Sequence, residues 1–118
     1  MIKSSLQKKR LDLPFKSDLH WPYIYVSDVV SSIYSCLFYK NSHRYSYNVG
    51  GPDFPSYKQI LNLISSEFSK SNVTFLKRNK ISERKNFSTT KIKKDINWEP
   101  KFNIQEGLKD YFKNLNTE

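Results

Sequence analysis

The chain has 118 residues, enough for one domain with a modest core and too few for two ordinary ones. Lysine and arginine outnumber aspartate and glutamate by 20 to 11, a net charge of +9 that suits an anionic partner, yet Arg10, Arg44, Arg78 and Arg84 are the only arginines, and planar two-pronged phosphate recognition favours arginine. One cysteine, Cys36, excludes an intrachain disulfide framework or thiolate metal site, no run approaches the length of a bilayer-spanning helix, and residues 1–10 are polar and basic, so the composition reads as a soluble, cytoplasmic protein.

In chain order, residues 2–9 can form only a weak helix, since Ile2 and Leu6 are all it could bury, and 11–15 reads as a brief extended piece ended by Pro14. The cluster Lys8-Lys9-Arg10, like Lys91-Ile92-Lys93-Lys94 further on, reads as a solvated face. Residues 16–20 are a loop, and its His20 has no second histidine or carboxylate cluster to make it a catalytic base, so it reads as an exposed loop residue. Tyr23, Ile24, Tyr25 and Val26 fit a short strand. Ser27 or Asp28 can then accept the first N–H bonds of a helix, with Asp28 complementing the positive end of its dipole. Val29, Val30, Ile33, Tyr34, Leu37 and Phe38 recur at helical spacing and predict one buried face.

Residues 41–44 are a polar turn, whose His43 has no metal-ligand partner at helical spacing. Residues 45–49 alternate like a strand until Gly50-Gly51-Pro52 stops them, and the paired glycines allow close approach of a ligand or of another backbone. Ser56 and Gln59 form an S-x-x-Q cap for a helix whose Tyr57, Ile60, Leu61, Ile64 and Phe68 keep one face apolar. A break at 69–72, a strand at 73–76 and a polar, basic loop at 77–86 follow. Thr89 or Thr90 caps a short helix through Ile96, Asn97 suits the left-handed position that ends it, Trp98 folds back on the last turn, and Pro100 prevents continuation. Asn103-x-x-Glu106 caps a last helix with Ile104, Leu108, Tyr111, Phe112 and Leu115 on one face. Aromatic residues make up 15% of the chain, more than so small a core needs, which predicts faces cut to fit a surface the chain does not contain.

The succession Y-I-Y-V-S-D-V-V, Y-N-V-G-G, a Ser-capped helix, T-K-I-K-K-D-I-N-W-E-P-K-F and I-Q-E-G-L is similar, over about residues 11–115, to the carboxy-terminal part of the extended short-chain dehydrogenase/reductases. These are the NAD(P)-dependent epimerases, dehydratases and reductases that act on nucleotide-diphosphate sugars. The resemblance implies an α/β chain whose residues 1–118 form a single partial domain, with a late Rossmann strand and helix plus a small α+β substrate lobe. The Rossmann fold would be incomplete, its amino-terminal cofactor-binding part absent. It also implies a nucleotide-diphosphate sugar as ligand, NAD or NADP in the complete enzyme, and a separate amino-terminal half or a homodimer as partner.

By the same resemblance Arg78 stands where the family often places an arginine on the sugar-nucleotide diphosphate, thirteen residues before Lys91, and Leu13 and Phe15 match positions that flank the base. The chain departs from the family pattern at Ile81, which replaces an acidic residue, at Trp21, which replaces a second arginine, and at Asn97, which replaces a glycine. The family's G-x-x-G-x-x-G turn and Y-x-x-x-K pair do not occur in this sequence: its glycines are Gly50, Gly51 and Gly107, and none of its eight tyrosines has lysine four residues on. The expectation is a chain that alone binds no cofactor, has no catalytic residue of its own and turns over no NAD(P). A competing reading, a small basic module for nucleic acid or another polyanion, has only the charge behind it, because the aromatics follow core periodicities instead of alternating with cations on one strand face. A third is a non-catalytic remnant that pairs with a relative through an aromatic face.

Overall fold

The computed structural model describes residues 10–13, 16–39, 46–67, 73–75 and 85–115. They form β1 (Leu11–Leu13), α1 (Val26–Phe38), α2 (Tyr57–Glu67), β2 (Val73–Phe75), α3 (Thr90–Ile96) and α4 (Ile104–Leu115). The two strands pair in parallel, with Leu11, Asp12 and Leu13 opposite Val73, Thr74 and Phe75. The expected helix at 2–9, the turn at 41–44, the break at 69–72 and most of the loop at 77–86 lie outside the described residues.

Two apolar clusters hold the rest. Ile60 and Ile64 of α2 meet Phe112 of α4, with Tyr23, Ile104, Leu108, Tyr111 and Leu115 packed around them. This is the docking surface that the i, i+4 spacing in both helices predicts. Ile92, Ile96 and Trp98 form the second cluster, against which Ile24, Cys36, Tyr47 and Val49 pack.

Both expected capping boxes are present. Ser56 N–H donates to Gln59 Oε1 at 2.8 Å while Gln59 N–H donates to Ser56 Oγ at 3.3 Å. Asn103 N–H donates to Glu106 Oε2 and Glu106 N–H to Asn103 Oδ1, each at 2.9 Å. At the end of α3, Asn97 has φ 58° and ψ 35°, the left-handed stop expected of it, and its N–H donates to Lys93 O at 2.9 Å.

Five expectations are corrected. Residues 23–25 are not a strand, and Val26 already belongs to α1. The segment before α1 instead makes scattered bonds to 51–58: Gly51 N–H to Tyr23 O at 2.8 Å, Trp21 N–H to Pro55 O at 3.2 Å, and Tyr57 N–H to Leu19 O at 3.1 Å. Pro22, Pro52 and Pro55 have no N–H to give, so a continuous ladder cannot form between these stretches. Residues 46–49 likewise join no ladder among the described residues, although Tyr47 and Val49 are half-buried and Ser46 and Asn48 exposed, as strand alternation requires.

Neither Ser27 nor Asp28 caps α1; Tyr25 is its N-cap and makes no side-chain cap bond. At α3 the capping oxygen is Ser88 Oγ, which accepts from Thr90 N–H at 3.3 Å, whereas Thr89, the N-cap, makes no side-chain cap bond. The largest correction is the predicted buried face of α1. Val30, Ile33, Tyr34, Leu37 and Phe38 are exposed, and the residues α1 buries are Asp28 and Ser32.

Candidate functional site

The site residues expected from sequence meet the structure unevenly. Leu13 ends β1, buried, opposite Phe75 at the end of β2. Because the strands are parallel and in register, the chain leaves both at the same edge of the pair. Phe15 is two residues beyond that edge in sequence and Arg78 three; both, like Ile81, lie outside the described residues. Trp21 is half-buried beside Tyr57, ring centroids 6.4 Å apart. His20 is not the exposed loop residue expected: it is half-buried, its ring stacks on Phe54, and its Nδ1 lies 2.7 Å from Phe54 O.

One cavity, of about 450 Å³, lies between α2, α4 and the stretch leading into α1, lined by Tyr23, Tyr25, Ile60, Phe102, Leu108 and Tyr111 among others. A second, of about 550 Å³, opens beside His20, Phe54 and Asn62 and shares Asp53 and Ile104 with the first. Carboxylates hold the walls of the first cavity in place. Asp28, 1% exposed, accepts Lys101 N–H on Oδ1 at 2.9 Å and Phe102 N–H on Oδ2 at 3.0 Å. Asp53 Oδ2 accepts Ile104 N–H at 2.7 Å, at the start of α4. Asp110 Oδ2 accepts the Tyr25 hydroxyl at 2.5 Å, and the Tyr25 ring lies against Phe102 with centroids 4.8 Å apart. Trp98 Nε1 donates to Ser31 Oγ at 2.9 Å, so the Trp-Glu-Pro-Lys-Phe stretch is fastened to α1 at two points.

Tyr23 and Tyr25 are held protonated. The hydrogen bond to Asp110, then burial, pushes the Tyr25 phenol from 10.0 to about 12. Burial, then the neighbouring Tyr57, pushes the Tyr23 phenol up as well. At neutral pH they are hydrogen-bond donors on an apolar wall, and the surface suits shape recognition more than proton transfer. Among the described residues no three histidine, cysteine, aspartate or glutamate side chains are placed to hold a metal ion, and no helix is long and apolar enough to cross a membrane.

The glycines are all used within the chain. A Cβ on Gly51 would sit 2.4 Å from Tyr23 O, and on Gly50 and Gly107 it would sit 3.0 Å from the Phe87 and Tyr25 rings. Close backbone approach at Gly50-Gly51 therefore serves another part of the same chain.

Sequence reasoning missed Asp53 and Asp110 and misassigned Asp28. The first-turn position of Asp28 is a signal for a carboxylate near free N–H groups, but which N–H groups it meets, 73 and 74 residues away, is a property of the tertiary structure.

No protein-family model matches the sequence, and no curated protein matches it. Solved structures do share its fold. Similarity to UDP-glucuronic acid 4-epimerase from Bacillus cereus, in complex with UDP-glucuronic acid and NAD, covers 97% of this chain and 38% of that one, at 22% identity and TM-score 0.81. Similarity to UDP-glucose 4-epimerase from Thermotoga maritima, with UDP-glucose, covers 98% and 38%, at 24% identity and TM-score 0.79. A GalE-like L-threonine dehydrogenase from Cupriavidus necator is similar over 97% of this chain and 43% of its own, at 17% identity and TM-score 0.82. The chain spans about two fifths of the length of these proteins. It has the fold of a part of them, a partial Rossmann-like α/β fold, as the order of its motifs implied.

Proposed function

We propose that this chain is the substrate-side, carboxy-terminal part of an NAD(P)-dependent nucleotide-diphosphate-sugar epimerase, dehydratase or reductase. The observation that carries the reading is the fold likeness: nearly the whole chain is similar to two fifths of two enzymes named for UDP-sugars and solved with them. In this reading Arg78 holds the diphosphate through its guanidinium, and Leu13 and Phe15 flank the base. The cradle for NAD or NADP and the Y-x-x-x-K pair are supplied from outside these 118 residues, and the chain by itself turns over neither. The competing reading, a basic module for nucleic acid, draws on the +9 charge alone.

The test is a fusion in which the cofactor-binding portion of the Bacillus cereus epimerase precedes the complete 118-residue chain. Titration calorimetry with UDP-glucose and UDP-glucuronic acid is expected to detect binding, and Arg78→Ala to weaken it about tenfold or more, the worth of a charge-assisted hydrogen bond pair. Absence of binding to either sugar nucleotide would overturn the function, and unchanged affinity in Arg78→Ala would remove Arg78 from the site.

A further inference from the structure

Asp53 stands between the two cavities and lines both, as Ile104 does. Among the described residues it is the only carboxylate lining either, and no lysine or arginine lines them, in a chain whose net charge is +9. Its Oδ2 is taken by Ile104 N–H at 2.7 Å. Its Oδ1 accepts no bond among the described residues, and since no buried side-chain oxygen there lacks a partner, Oδ1 is open to solvent. One negative charge with a free oxygen therefore sits at the edge of an apolar space.

The rest of the first cavity suits the opposite charge. Tyr23, Tyr25, Phe102 and Tyr111 give it four aromatic side chains, and ring quadrupoles attract a cation that has lost its water. The Tyr23 and Tyr25 phenols stay protonated well above neutral pH, so they add no second negative charge. Ile60, Ile64 and Leu108 make much of the remaining wall aliphatic, a lining for a hydrocarbon body and not for a hydrated ion. An anion has little to bind. At the start of α4, where backbone N–H groups would attract one, Ile104 N–H is on Asp53 and Glu106 N–H is on Asn103 Oδ1. The volume of about 450 Å³ lies within the ~300–1,000 Å³ of small-molecule sites.

We infer that the first cavity is a binding site for an organic cation, an aryl- or alkyl-ammonium whose hydrocarbon part lies against Ile60, Ile64 and Leu108 and whose ammonium pairs with Asp53 Oδ1 beside the aromatic rings. The bond to Ile104 gives Asp53 a structural task as well; the charge and the free oxygen are what that task leaves over. The inference goes beyond the proposed function and is independent of it, since it uses none of Leu13, Phe15 and Arg78.

The complete 118-residue chain is titrated with three probes of similar shape and different charge, 2-phenylethylammonium, 2-phenylethanol and 3-phenylpropanoate, and followed by amide NMR shifts. The ammonium is expected to bind about tenfold or more tightly than the alcohol, and the carboxylate weakest, with the shifts centred on residues 51–53 and 102–108. Asp53→Asn keeps an acceptor for Ile104 N–H and removes the charge. It is expected to bring the ammonium down to the affinity of the alcohol and to leave the alcohol unchanged. Equal binding of ammonium and alcohol by the wild-type chain, binding of neither, or shifts centred on α1 instead would overturn the inference. So would an ammonium preference that survives Asp53→Asn. Should that variant not fold, as collapse of its amide dispersion would report, the wild-type charge series and shift map decide by themselves.

Discussion

Asp28 is the residue on which the most structure converges. Both its carboxylate oxygens accept backbone N–H groups from a stretch more than 70 residues away, in a place solvent does not reach. Asn at this position offers one acceptor and turns an amide N–H toward a backbone N–H. Asp28→Asn is therefore expected to destabilise the chain by about 2–4 kcal/mol in urea unfolding, the cost of one lost charge-assisted bond and one unsatisfied buried donor. A change under half a kcal/mol would show that Lys101 and Phe102 find other partners. Tyr25 gives a test in pH. Its folded pKa of about 12 lies above the unfolded 10.0, so the folded state holds the proton more tightly; the stability it contributes is fully present below pH 10 and is lost as pH rises toward 12. In Tyr25→Phe the fall in stability over that window is expected to be shallower than in wild type, measured by denaturant unfolding at several alkaline pH values.

Among the elements, α2 and α4 follow from local rules that the tertiary structure leaves undisturbed: capping boxes at their starts and apolar residues three and four apart that meet across the interface. Helix α3 depends on how it stops. Asn97 takes the left-handed conformation that a Cβ-bearing residue adopts at a cost, which asparagine tolerates better than most. Asn97→Ala is expected to lose about 1 kcal/mol and Asn97→Gly to match wild type within that amount, by thermal unfolding. If alanine cost nothing, the stop would be set by Trp98 and Pro100 alone. The stretch 23–26 went the other way: its aromatic and β-branched residues have strand propensity, but with prolines on both sides of the pairing the propensity has no ladder to act on.

For the whole molecule, the inside-out α1 separates what stabilises this chain from what it presents outward. Leu37, 74% exposed, contributes little to the folded chain by itself. Leu37→Lys is expected to change the stability of the chain alone by no more than about 0.5 kcal/mol while raising its solubility limit. A loss of 2 kcal/mol or more would mean that the stripe is already covered in solution.

How much of this was legible beforehand follows from the range of each interaction. The capping boxes of α2 and α4, the left-handed stop at Asn97, the amphipathic faces of α2 and α4 and the order of motifs all depend on residues within a turn or two of each other, and the sequence by itself determined them. The side of α1 that faces inward, the N–H groups that Asp28 receives and the backbone contact behind Gly51 depend on what packs next to them, and only the tertiary structure decided those. The periodicity of α1 reported an apolar stripe correctly but carried no information on whether the covering surface lies within these residues, because burial is a property of the neighbour as much as of the helix.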